Sequence, residues 1–174
     1  MSHQTRAIQH SVSRIEVAVD QPFEEFRDSY EQAVPFFDPS RLGDLNADST
    51  DWATVLQVTE QMAPHSFLLY WRAETDLIMR VAGHSTRCTA YLMGNHTIAE
   101  RMYRHNPGVM LYAPLRTAIY EDREERVWFS VDQPSTRFSS FGDPEIAAVG
   151  ADLDDKLAHL FRTLGITVPV ELTR

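Results

Sequence analysis

The chain has 174 residues, 43% of them hydrophobic and 24% charged, with a formal net charge of −9 and a single cysteine. That length and balance predict one globular domain with a core of its own, and the negative charge argues against nucleic acid or an anionic membrane surface as a partner, since both need concentrated Lys and Arg. Cys88 alone allows no intrachain disulfide, which fits a reducing, cytoplasmic setting, and no apolar run approaches the roughly 18 residues that cross a membrane.

The N-terminus, "MSHQTRAIQHSVSR", is polar without an apolar stretch, so residues 1–13 read as a flexible arm rather than a secretory signal. From Arg14 to Asp20, Ile15, Val17 and Val19 alternate with polar or small residues, the pattern of a half-buried strand. Asp20 is placed to cap a helix with Pro22 in its first turn and Phe23, Phe26, Tyr30 and Val34 at helical spacing. Residues 36–64 then read as a long loop and a helix near 50–63, capped by Ser49 or Thr50, with Trp52, Val55, Leu56, Thr59 and Met62 on one face.

The apolar run 66–72 predicts a buried strand, and 73–83 one or two helical turns with Leu77, Ile78 and Val81 inward. Residues 87–93 alternate again, with Thr89, Tyr91 and Met93 on one face and a buried Cys88 on the other. Asn95 caps a short helix striped by Ile98, Ala99, Met102 and Tyr103, which Asn106-Pro107-Gly108 stops. Strands at 110–120 and 126–131 flank the charged "EDREER" and predict an antiparallel hairpin. Asp143-Pro144-Glu145 opens the longest helix, whose stripe runs from Ile146 to Leu164 and which Gly165 ends. Residues 166–174 form a short tail. Runs of strands with separated helices predict an α+β domain over 14–165, helices on one face of a mainly antiparallel sheet.

Several pieces in this order resemble the domain-of-unknown-function 302 family: a strand running into Gly94-Asn95, Ala99 in the next helix, Asn106-Pro107 before Gly108, Pro114-Leu115-Arg116 leading to Tyr120-Glu121-Asp122, and Asp132-Gln133-Pro134-Ser135 after the hairpin. Upstream, the stretch from Phe67 to Ala82-Gly83 is similar to the family's strand and short helix, so the likeness covers about residues 14–164. The resemblance implies a strand–helix–four-strand–helix arrangement with the TATA-binding-protein-like topology, commonly as a homodimer, and implies no reaction. The chain departs from the family in two places: His96 stands where the family usually has proline, and the 36–64 segment is longer than the family pattern.

No motif specifies a chemistry. His84, His96 and His105 lack the spacing of a helical metal site, so no metal is assigned. There is no haem-attachment motif, no nucleophile elbow and no phosphate-cradling glycine loop, so no cofactor is assigned either. Asp152, Asp154 and Asp155 read as a solvated helix face. Arg116, in an otherwise apolar strand, is either paired with Asp132 on the neighbouring strand or anchors a ligand.

One catalytic reading and two binding readings stand on these residues. A pocket between sheet and helices, walled by Tyr91, Met93, Met102, Tyr112 and Arg116, would hold a small apolar or aromatic molecule. An enzyme would use one or two polar groups from among Arg116, Asp132, His96, His84 and Tyr112, in acid–base chemistry such as an isomerisation or a cyclisation. A protein–protein interaction module would present the inserted helix around Trp52, Val55 and Leu56.

Overall fold

A computed structural model describes residues 5–43, 48 and 50–173 of the chain. Residues 1–4 of the expected arm, Ser49 as a helix cap and Arg174 of the tail lie outside the described residues. Five strands and six helices follow in the order β1 (Arg14–Val19), α1 (Phe23–Ala33), α2 (Trp52–Met62), β2 (Leu68–Glu74), α3 (Asp76–Val81), β3 (Cys88–Gly94), α4 (His96–Tyr103), β4 (Leu115–Glu121), β5 (Val127–Asp132), α5 (Pro134–Phe138) and α6 (Pro144–Thr163). The sheet is antiparallel throughout, with strand order β1-β5-β4-β3-β2. The chain meanders through β2 to β5 and lays the last of these beside β1, so the topology is the strand–helix–four-strand–helix arrangement that the resemblance implies.

Period-2 alternation decides which side each strand buries. Ile15, Val17 and Val19 on β1, Thr89, Tyr91 and Met93 on β3, Leu115, Thr117 and Ile119 on β4, and Val127, Phe129 and Val131 on β5 all face one way and are buried. Helices α1 and α6 cover that face. Phe26 and Tyr30 of α1 and Phe161 of α6 meet Phe129 at ring-centroid distances of 6.2, 5.3 and 5.4 Å. The Tyr30 hydroxyl lies 2.9 Å from Thr117 Oγ1, which satisfies two buried polar groups at once. The opposite face meets α2 at its β2 end, where Leu68 is buried with Met62 and Ala63. Across it the register sets Arg14, Asp132, Arg116, Leu92 and Trp71 in one row and Glu16, Ser130, Ala118, Ala90 and Ala73 in the next.

The capping residues act as their chemistry dictates at two helices. Asn95 Oδ1 accepts from the Thr97 and Ile98 amides at 2.9 and 3.4 Å, and Asp143 Oδ1 accepts from Glu145 and Ile146 at 2.8 and 3.2 Å. Gly165, at φ 69°, ends α6, and the Ile166 amide reaches back to the Phe161 carbonyl at 3.1 Å.

Several expectations are corrected. Asp20 does not cap α1; Pro22 precedes it, and no side chain bonds its first amides. Asp51, not Thr50, stands at the N-cap of α2. Residues 107–111 form a 3-10 turn, so β4 begins at Leu115 rather than at Met110. Ile78 and Val81 of α3 are 74% and 90% exposed, and Leu77 also faces out, because none of the described residues packs over that side of the short helix. Cys88 is half-buried rather than enclosed. Asp154 turns away from water to accept from the Ser135 amide at 2.9 Å, the Ser135 hydroxyl at 2.6 Å and Gln133 Nε2 at 2.8 Å. The tail docks: Leu172 is buried, and Ile166 and Val168 pack against the core.

Candidate functional site

Where β3 runs into α4, the sheet and helices leave a half-open cavity of about 340 Å³. Several stretches of chain build its wall, among them the turn before β4 with Pro114 and Leu115. Phe67 comes from the entry to β2, Ile98, Ala99 and Met102 from the apolar stripe of α4, and Phe138 and Leu153 from α5 and α6. Gly94 keeps the end of β3 slim: a Cβ there would stand 3.2 Å from Pro114 Cβ, on the cavity's rim.

The cavity's polar neighbours are Tyr70, Asn95 and His96, and all three are engaged. Asn95 Nδ2 donates to the Ser66 carbonyl at 3.0 Å while its oxygen caps α4. His96 lies between Thr59 and Tyr70, with Nε2 2.7 Å from Thr59 Oγ1 and Nδ1 2.7 Å from Tyr70 Oη. The Thr59 hydroxyl spends its one proton on the Val55 carbonyl at 2.7 Å, so it accepts from His96 Nε2–H. Nδ1 is then bare and accepts from the Tyr70 hydroxyl, whose oxygen in turn receives the His96 amide at 3.1 Å. Burial lowers the imidazole pKa and pushes the Tyr70 phenol up to about 12, so the network is neutral throughout. It ties α2, β2 and the first turn of α4 together. It leaves the cavity a surface of carbon.

A second hollow of about 210 Å³ adjoins the first at Pro114 and Leu115, residues in both walls. It holds Arg116, Tyr112, Asp132 and Arg137. The expected Arg116–Asp132 pair does not form. Arg137 takes Asp132 through Nε at 3.1 Å and through Nη2, and its guanidinium lies 4.9 Å from the centre of the Tyr112 ring. Arg116 is exposed and has no ion pair among the described residues.

The sequence candidates therefore divide among four places. Met102 and His96 line the cavity. Arg116, Asp132 and Tyr112 line the adjoining cleft. Tyr91 and Met93 lie in the helix-covered core instead, where the Tyr91 hydroxyl donates to Glu31 Oε1 at 2.8 Å. His84 is exposed after α3. Among the described residues, no group of three or more His, Cys, Asp or Glu is placed to hold a metal ion, and no helix is long and apolar enough to cross a membrane. Sequence reasoning missed Thr59, Tyr70 and Phe138. Thr59 sits on an apolar helix face and Tyr70 inside an apolar run, and a register shift between Leu69 and Trp71 is what turns Tyr70 toward His96.

The fold and cavity define a one-sided α+β domain with an apolar hollow at the end of its sheet. The chain belongs to the family described as domain of unknown function DUF302, whose model matches residues 48–164. That match takes in α2, which the sequence pattern set apart as an insertion. Among solved structures, the crystal structure of an uncharacterized conserved DUF302 protein from Bacillus stearothermophilus is similar, with 16% sequence identity and a TM-score of 0.63 over 87% of this chain and 97% of that one. At that identity the likeness speaks to the fold. No curated protein matches the sequence.

Proposed function

We propose that this domain binds a small apolar molecule in the cavity beside α4. The observation that carries the reading is a half-open hollow of about 340 Å³, within the size range of ligand pockets, in which every polar neighbour is already bonded to the protein. Such a wall rewards apolar surface and offers a polar ligand nothing to replace its water. Native mass spectrometry of the purified chain tests it. We expect a bound organic mass that is absent when Ala99→Phe fills the cavity; a chain that carries no such mass and takes up no apolar probe would overturn the reading.

The acid–base enzyme has less support. Arg116 and Asp132 share the cleft, whereas His96 lines the cavity with both ring nitrogens occupied. A partner reading draws on two surfaces. Trp52 and Leu56 on α2 are 42% and 44% exposed, which supports a protein contact there, but Val55, expected to share that surface, is buried. The outer face of the sheet away from α2, with Trp71 half exposed, is the surface that would serve the homodimer the family resemblance implies. The half-buried Cys88, with no second cysteine, is what supports a reducing, cytoplasmic setting.

A further inference from the structure

We infer that the molecule the cavity receives is an amphipathic monocarboxylate, its apolar body in the cavity and its head group on Arg116. This rests on the apolar-ligand reading above and specifies the ligand's class. The first support is position. Cavity and cleft meet at Pro114 and Leu115, so a molecule leaving the apolar hollow on that side arrives at Arg116. The second is charge. The cleft holds two guanidiniums, Arg116 and Arg137, against one carboxylate, Asp132, and Arg137 is committed to that carboxylate and stacked on Tyr112. Arg116 is thus an unpaired cation in that cleft, on a chain of net charge −9.

The third support is chemical fit. A polar head has no partner inside the cavity, because Tyr70, Asn95 and His96 are spent, so it must stand outside. One free guanidinium forms a planar fork that matches one carboxylate through two parallel bonds. A dianion would leave a second negative charge beside Asp132, which a monoanion does not. The other ionisable neighbours are Arg14, opposite Asp132 on β1 and lining a hollow with Arg116, and His10, whose Nε2 lies 3.4 Å from the Tyr112 hydroxyl at the cleft's edge.

The test uses matched pairs of probes on the full chain, followed by calorimetric titration at pH 7.5: decanoate with 1-decanol, and 2-naphthoate with 2-naphthol. Each pair shares an apolar body and differs in the head; the two pairs separate an alkyl from an aryl ligand. For at least one pair the acid should bind about ten-fold more tightly than its neutral partner. Arg116→Gln should abolish that preference while leaving the neutral probe's affinity unchanged, and Arg116→Lys should retain part of it. The side chain is exposed, so the melting temperature of both variants should match that of the wild type. Equal affinities within both pairs, or a preference that persists in Arg116→Gln, would overturn the inference and leave the apolar cavity standing. Binding of neither acids nor neutral probes would overturn the cavity reading as well.

Discussion

His96 is a histidine with no proton to spare and no lone pair free. Its Nε2–H goes to Thr59, its Nδ1 receives Tyr70, and its amide returns to the Tyr70 oxygen. Replacing Thr59 with valine keeps the shape and leaves a buried N–H without an acceptor, so Thr59→Val should cost about 1–3 kcal/mol in urea unfolding. The network also fixes a sign for pH. Burial lowers the imidazole pKa below its ordinary value of about 6.5, so the unfolded chain takes up the proton first and stability is lost as pH falls through that region. A proton on Nδ1 would also meet a hydroxyl oxygen that already accepts the His96 amide. The melting temperature should therefore fall between about pH 7 and pH 5 in the wild type and stay flatter in His96→Gln. Carboxylates held low by arginine bonds, such as Glu121 beside Arg87, act in a more acidic window and do not confuse the comparison. The odd position of His96 was visible in the sequence; its partners were not, because Thr59 and Tyr70 belong to other elements. Arg116 shows the same limit. Its neighbour Asp132 was legible from strand pairing, but the competing Arg137, one turn into α5, was not.

At the scale of elements, α6 holds the molecule's second half through both shape and charge. Gly150 lets α5 approach so closely that a Cβ would stand 3.1 Å from Phe138 Cβ and from the Ser135 backbone. Asp154 then accepts three bonds from Gln133 and Ser135. Asp154→Ala strands those donors, and we expect a loss of roughly 2–4 kcal/mol by chemical denaturation. Phe138 and Leu153, set by the same contact, are part of the cavity wall, so that variant should weaken ligand uptake too. By contrast, Trp52→Ser and Leu56→Ser on the outer side of α2 should change stability by less than about 0.5 kcal/mol each. Helix α6 and strands β1, β3 and β5 were legible because their periodicity is long or strict. Helix α3 misled because Leu77, Ile78 and Val81 have the right spacing, yet spacing does not reveal that none of the described residues covers them. The start of β4 misled because Met110 and Leu111 are apolar turn residues.

At the scale of the whole molecule, one face of the sheet is buried under α1 and α6. The order of strands, caps and breaks carried the fold, since each is a local signal and together they admit few topologies. The cavity was not legible in the same way: it is assembled from β2, α4, α5, α6 and the turn before β4, and only tertiary packing brings these together. Fluorescence titration with the neutral probe N-phenyl-1-naphthylamine tests the central claim most directly, comparing the wild type with Ala99→Phe and recording a thermal melt of each. The account predicts saturable binding of one probe per chain, weakened at least about ten-fold by the cavity-filling residue while the melt holds. Absence of saturable binding, or binding that Ala99→Phe leaves untouched, would contradict it.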